Sequence, residues 1–287
     1  MTSPVVRKWI MTWVVLVTCI YSSGCNKLND KPAGEYLDLA LSGMAGSDGV
    51  TFEGATALLR GSAGTPYASV YYGGNVKDHN KVTLYTILPD QRSTESESTN
   101  HVKEASSATD KPSYYSKLEK KEGAWKVLSE SSSQEDNPLP RLNPLHQLEE
   151  LEGLDKTVTE EAGAGAGRGV RVLRIELSPA EARKQLTNQL EQEMSALRTL
   201  GQTQEKQLTA NQPQLKKALD TFWQKKNAEL KNKLERAQVK TIYHLNVDSR
   251  RNLPKRLAWT RTISYPEDAQ NALSETYVAQ VNFYGYR

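Results

Sequence analysis

The chain has 287 residues, a formal charge of +3 and a hydrophobic fraction of 37%. That fraction lies below the roughly 45–50% of an average globular domain, so the core is modest or interrupted by solvated segments. Arg7 and Lys8 supply two of the 37 basic side chains, leaving 35 basic against 34 acidic residues beyond position 24. This near-neutral balance excludes the concentrated basic face that a nucleic-acid partner requires.

Met1 to Cys25 comes first in the chain and sets the cellular context. Arg7 and Lys8 precede an apolar run from Trp9 to Tyr21, which ends in Ser22-Ser23-Gly24-Cys25. A basic head, a short apolar body and small residues before a cysteine have the layout of an export signal. The body falls well short of the roughly twenty residues a helix needs to span a bilayer. The ending resembles the lipobox of bacterial lipoproteins, although Ser22 stands where that family carries an aliphatic residue. The resemblance implies a signal peptide over residues 1–24 and a lipid anchor on Cys25, holding the protein to the outer face of a bacterial membrane. An ordinary signal peptide is the alternative. Cys19 lies inside the signal, and Cys25 is consumed if lipidated, which leaves no thiol for a disulfide or a metal site.

Residues 25–34 read as a polar tether and residues 35–128 as a first β-rich part. Leu37, Leu39 and Leu41 alternate, though a helical turn or two fits the same stretch. A strand is expected at Val50–Leu59. Tyr67–Tyr72 and Lys81–Leu88 flank Gly73-Gly74-Asn75, a hairpin signal. Asp90–Ser113 is rich in Ser, Thr and Glu and reads as a long exposed loop. Tyr114–Leu118 and Trp125–Leu128 flank a charged turn ending in Gly123. Residues 129–169, acidic and then Gly/Ala-rich, read as a linker, without the spacing of a phosphate-binding loop.

The second part, residues 170–287, opens with a strand at Val170–Leu177. Ser178-Pro179-Ala180-Glu181 is a helix start with a capping box, and Ala182, Leu186, Leu190, Met194 and Leu197 follow at helical spacing, with Gly201 as a stop. A second helix starts near Pro213, its apolar stripe formed by Leu215, Leu219, Phe222, Leu230 and Leu234. Ser178 to Lys240 carries twelve basic and seven acidic residues. Three uses fit them: a solvated outer face, attraction to anionic lipid headgroups or cell-wall polymer, and docking of the acidic linker. Strands at Val239–Val247, Lys255–Tyr265 and Tyr277–Tyr284 close the chain. Leu257, Trp259, Ile263 and Tyr265 share a face interrupted by Arg261.

The closing order resembles LolA-like exported lipid-binding proteins and their Gram-positive lipoprotein relatives. It consists of helices at Ser178–Leu234, then strand, Asp-containing turn with Leu253-Pro254, long strand and final aromatic strand. The resemblance implies an α+β fold: a curved antiparallel half-barrel sheet with helices packed on one side, long flexible loops, and a cavity for acyl chains. The aromatic residues Tyr71, Tyr72, Tyr85, Trp125, Trp223, Trp259, Tyr277 and Phe283 either fill a core or line a ligand site. In the ligand reading the candidate lining residues are Tyr85, Trp125, Trp259, Tyr277 and Phe283. No catalytic residue, cofactor or metal is expected. His79, His101, His146 and His244 lack metal-ligand spacing, and no Gly-x-Ser-x-Gly elbow is present. Asp78-His79 is the best acid–base candidate, with turn stabilisation the favoured role. The expected partners are a membrane, through Cys25, and a lipid or other hydrophobic ligand. The competing expectation is an envelope scaffold lipoprotein with a filled core.

Overall fold

The structure, a computed structural model, describes residues 31–60, 66–87, 114–130, 137–161, 167–209, 213–265 and 274–287. The signal, Cys25, the whole Ser/Glu loop Asp90–Ser113 and much of the Gly/Ala run lie outside the described residues. Helix α1 (Ala33–Ala45) opens the chain. It is followed by β1 (Gly49–Arg60), β2 (Pro66–Lys77), β3 (Lys81–Thr86), β4 (Tyr115–Lys121) and β5 (Ala124–Glu130). A 3-10 turn (Leu139–Leu142), α2 (Pro144–Glu152), β6 (Lys156–Glu160) and β7 (Val170–Leu177) come next. Then follow α3 (Pro179–Thr209), α4 (Pro213–Arg236), β8 (Gln238–Asp248), β9 (Leu253–Ser264) and β10 (Glu275–Tyr284).

The ten strands form one open antiparallel sheet in the order β5-β4-β3-β2-β1-β10-β9-β8-β7-β6. Two meanders, β1–β5 and β6–β10, are zipped together where β1 pairs with β10 from Thr51↔Tyr284 to Arg60↔Glu275. The two β-rich parts therefore share a single sheet. Segment 129–169, expected as a linker, contains the 3-10 turn, α2 and β6. Asn143 caps α2 by accepting from the Leu145 amide, Pro144 fits the first turn, and Leu145, Leu148 and Leu151 bury one face. Acidic residues on the other face concealed that apolar stripe.

Helix α1 resolves the ambiguity at residues 35–45. Leu37, Ala40 and Met44 are buried at helical spacing, whereas Leu39 and Leu41 are less so. The expected turn at Gly73-Gly74-Asn75 lies inside β2, and the chain reverses at Asp78-His79-Asn80. Gly74 is required there for close approach. A Cβ would meet the Thr83 carbonyl oxygen and stand 2.5 Å from Cζ of Phe52. At Glu122-Gly123 both residues have positive φ, 55° and 80°, which suits the two-residue β4–β5 turn. Ser178 caps α3 as expected, its Oγ accepting from the Glu181 amide at 3.3 Å. Helix α3 continues through Gly201 to Thr209.

One face of the sheet carries the core: Val50 and Phe52 on β1, Tyr72 and Val76 on β2, Val82 and Leu84 on β3, and Tyr243, Leu245 and Val247 on β8. Helix α1 packs on β9 and β6, α3 packs on β8, and the 3-10 turn packs on β3 and β4. The sheet is open, and the helices lie on its concave side. Glu149 of α2 accepts from Trp125 Nε1 of β5 at 3.1 Å, while its neighbour Glu150 favours the charge on Arg261 of β9. In sheet order those strands stand six steps apart, roughly 29 Å across a flat sheet. Helix α2 packs beside α1, so the helices on this face reach from β9 to the β4–β5 hairpin.

Candidate functional site

The site with the most chemistry is where α3 crosses the concave face. The Ser178 cap fixes the start of α3, and buried Ala182 and Leu186 seat it on the sheet. That places Gln185, Gln189 and Glu193, one turn apart, along a flank of the same helix. Below them, adjacent strands present Tyr277, Arg261 and Thr241 in one row and Ala279, Trp259 and Tyr243 in the next.

Arg261 is the centre of this cluster and only 6% exposed. Its Nε donates to Thr241 Oγ1 at 3.3 Å, one terminal nitrogen to Gln189 Oε1 at 2.9 Å, and the other to Gln185 Oε1 at 2.7 Å. Gln185 Oε1 also accepts from Tyr243 Oη at 3.4 Å. The guanidinium lies 5.5 Å from the Trp259 ring centroid, and Trp259 and Tyr243 meet at 6.3 Å. Among the described residues no carboxylate comes within 4.0 Å of it, and its three acceptors are neutral. Burial pushes the Arg261 pKa below its usual value, opposed by Tyr243, Glu150 and Tyr277. An arginine stays protonated through such a shift, so a positive charge resides inside the fold. The same burial raises the phenol pKa values of Tyr243 and Tyr277.

Beside this row the concave face opens. Val50 and Phe52 are buried, but from Gly54 onward β1 is only partly covered, and β2 is exposed or partly exposed from Pro66 to Tyr71. Leu58 pairs with Tyr277, and Thr56 with Ala279 and Val70. Leu58, Val70, Trp259 and Tyr277 thus form a partly exposed apolar floor next to Arg261.

The expected lining residues do not converge. Trp259 and Tyr277 stand on neighbouring strands one row apart and share the site with Arg261. Phe283 is buried at the far end of the row, opposite Phe52. Trp125 is on the concave side but on edge strand β5, bonded to Glu149. Tyr85 lies on the convex face, 41% exposed over Gly73, because its register position alternates with the buried Leu84. On α4, Leu234 is buried, whereas Leu215 and Phe222 of the expected apolar stripe are exposed.

Asp78 and His79 do not form a relay. Asp78 pairs with Lys81 at 2.8 Å, while His79 faces Asp48 at 2.8 Å and the Ser47 carbonyl oxygen at 2.9 Å. Both have positive φ and shape the β2–β3 turn. Among the described residues there is no group of three or more His, Cys, Asp or Glu suited to a metal, and no helix is long and apolar enough to cross a membrane.

Arg261, Gln185, Gln189 and Tyr243 were not among the expected site residues. The signal for Arg261 was a charge breaking the apolar row Leu257, Trp259, Ile263. The glutamines left only a polar flank on α3, at sequence separations of 72 and 76 residues from the arginine. No protein-family model matches this chain, and no curated protein sequence matches it.

Proposed function

We propose that the protein is a lipid-anchored extracytoplasmic binding protein, with a LolA-like half-barrel, that holds a lipid or other hydrophobic ligand at the cell envelope. The observation that carries this reading is the partly uncovered apolar floor of Leu58, Val70, Trp259 and Tyr277 on the concave side. Apolar side chains left open beside a buried polar group are the usual make-up of a small-molecule site. Cys25 supplies the anchor and residues 26–34 the reach. The open end receives the ligand while the far end of the concave face, filled by Phe52, Tyr72 and Leu84, keeps the sheet rigid.

Native mass spectrometry of the Asn26–Arg287 fragment purified from bacterial cells, followed by solvent extraction, tests the ligand. A lipid mass released on denaturation is the expected result. A clean protein mass that stays clean after incubation with a lipid extract refutes the ligand reading.

The filled far end favours a second reading, an envelope scaffold lipoprotein without a small-molecule ligand. In that reading the exposed face of α4, with Lys216, Lys217, Lys225 and Lys226 around Leu215 and Phe222, contacts another envelope component. Among the described residues of the acidic segment, Glu149 of α2 pairs with Lys120 of β4 at 3.1 Å.

A further inference from the structure

We infer that Arg261, flanked by Gln185, Gln189 and Tyr243, is the seat for the negatively charged head of an amphiphile whose apolar tail lies on Leu58, Val70 and Tyr277. This rests on the hydrophobic-ligand reading and adds to it a chemical class: an acyl chain ending in a carboxylate or phosphate.

A buried charge is costly unless it is both paired and hydrogen-bonded. Arg261 is 6% exposed, yet its three acceptors are neutral oxygens, from Thr241, Gln185 and Gln189. Glu150 and Glu193, on the elements packed above, make no ion pair with Arg261: Glu150 acts on it only through its field, and Glu193 reaches it only through Gln189, whose Nε2 donates to Glu193 Oε1 at 3.3 Å. Glu150 faces His146 at 3.5 Å, and Glu193 holds Arg141 at 3.2 Å. A guanidinium carries five N–H donors, so donors remain beyond the three placed here.

The surroundings suit an anion. Each glutamine that now offers its carbonyl oxygen to Arg261 also carries an NH2 group, that of Gln189 donating to Glu193 Oε1 at 3.3 Å, and rotation of the amide turns it from acceptor to donor. Tyr243 Oη is a further donor, 3.4 Å from Gln185 Oε1. A carboxylate or phosphate replacing the amide oxygens exchanges neutral hydrogen bonds for charge-assisted ones with fork geometry. The tail has one direction open to it. Toward β8 and β7 the row is sealed by α3, while toward β10 and β1 Tyr277 and its partner Leu58 are partly exposed. Head and tail positions are therefore adjacent, one strand apart.

The test uses the full chain with decanoate, decanol and propionate, measured by calorimetry and thermal shift. Decanoate is expected to bind about tenfold or more tightly than decanol, the difference that a charge-assisted bond to a buried guanidinium supplies. Propionate is expected to bind far more weakly than decanoate. R261M is expected to bind decanol as before and to lose the preference for decanoate. Q185A/Q189A, which keeps the charge, is expected to weaken decanoate alone and covers the case in which R261M fails to fold. Equal binding of decanoate and decanol, or a preference that survives in R261M, overturns the seat and leaves the hydrophobic site standing. Propionate binding as tightly as decanoate also overturns it, in favour of a small free anion. Binding of none of the three refutes the hydrophobic-ligand reading and this inference together.

Discussion

Tyr72 places a hydroxyl where nothing accepts it. The residue is fully buried, its Oη has no hydrogen-bond partner, and desolvation raises its pKa far above the usual value. The ring fits because residue 54 is glycine: a Cβ there would stand 2.6 Å from Tyr72 Cζ. A buried unpaired hydroxyl costs about 1–3 kcal/mol, so Y72F is expected to raise stability by about 1 kcal/mol with the packing intact. Urea denaturation checks this, and a lowered midpoint would mean that the hydroxyl has a partner. Asp248, at the β8–β9 turn, shows the opposite economy. Its Oδ1 accepts from the Arg250 and Arg251 amides at 3.0 and 3.1 Å, and its Oδ2 meets Lys255 at 3.1 Å. These bonds, the Arg250 amide first, hold the carboxyl below its ordinary value of 3.8. A group whose folded pKa is depressed stabilises the fold above its unfolded pKa and loses that contribution as pH falls through the folded value. D248N is expected to lower stability at neutral pH and to flatten the loss of stability that wild type shows below about pH 4. Parallel stability–pH curves for the two proteins would remove Asp248 from that account.

At the scale of elements, β2 is the strand whose sequence is most easily misjudged. Gly73-Gly74 has the composition of a turn, but here glycine is needed for space. Tyr85 lies over Gly73 on the convex side and Phe52 over Gly74 on the concave side. G74A is expected to disrupt the β1–β2–β3 region, with a loss of at least about 2 kcal/mol or failure to fold. Recovery in the double variant G74A/F52L would show the clash to be with that ring. The same ambiguity decides what else could be seen in the sequence. The Ser178-Pro179 cap, the Glu122-Gly123 turn and the alternation in β7, β8, β9 and β10 are local signals with one physical meaning, and they appear where expected. Helix α1 was ambiguous because Leu37, Leu39 and Leu41 satisfy strand spacing while Leu37, Ala40 and Met44 satisfy helical burial. Helix α2 was hidden by its solvent-facing acids. Arg261 looked like an interruption, since its partners come from a helix in another part of the chain and no local pattern encodes them. Residue type and strand membership do not fix the face, and Tyr85 points away from the helices because a one-residue shift in a strand reverses the face.

For the whole molecule, the division into a first β-rich part, a linker and a second part describes chain order but not the folded body, because β1 and β10 lie side by side in the middle of one sheet. The anchor claim also belongs to this scale. C25A is expected to abolish lipid modification and to release the protein from membranes, as fractionation would reveal. Normal membrane retention of that variant would sink it. The β1–β10 seam carries a further consequence, for the order in which the chain folds. Thr56 Oγ1 bonds the Val278 carbonyl oxygen across 222 residues, and Tyr284 Oη bonds Glu53 across 231. Contacts this remote form late, since the intervening loop must close before they repay its entropy. A chain truncated before Glu275 is expected to remain trypsin-sensitive and without cooperative unfolding, although nine of the ten strands are intact in sequence; a protease-resistant core in that truncation would show one of the meanders to be self-sufficient. Without β10 the two meanders share no edge, so this one strand couples the stability of β1–β5 to that of β6–β9.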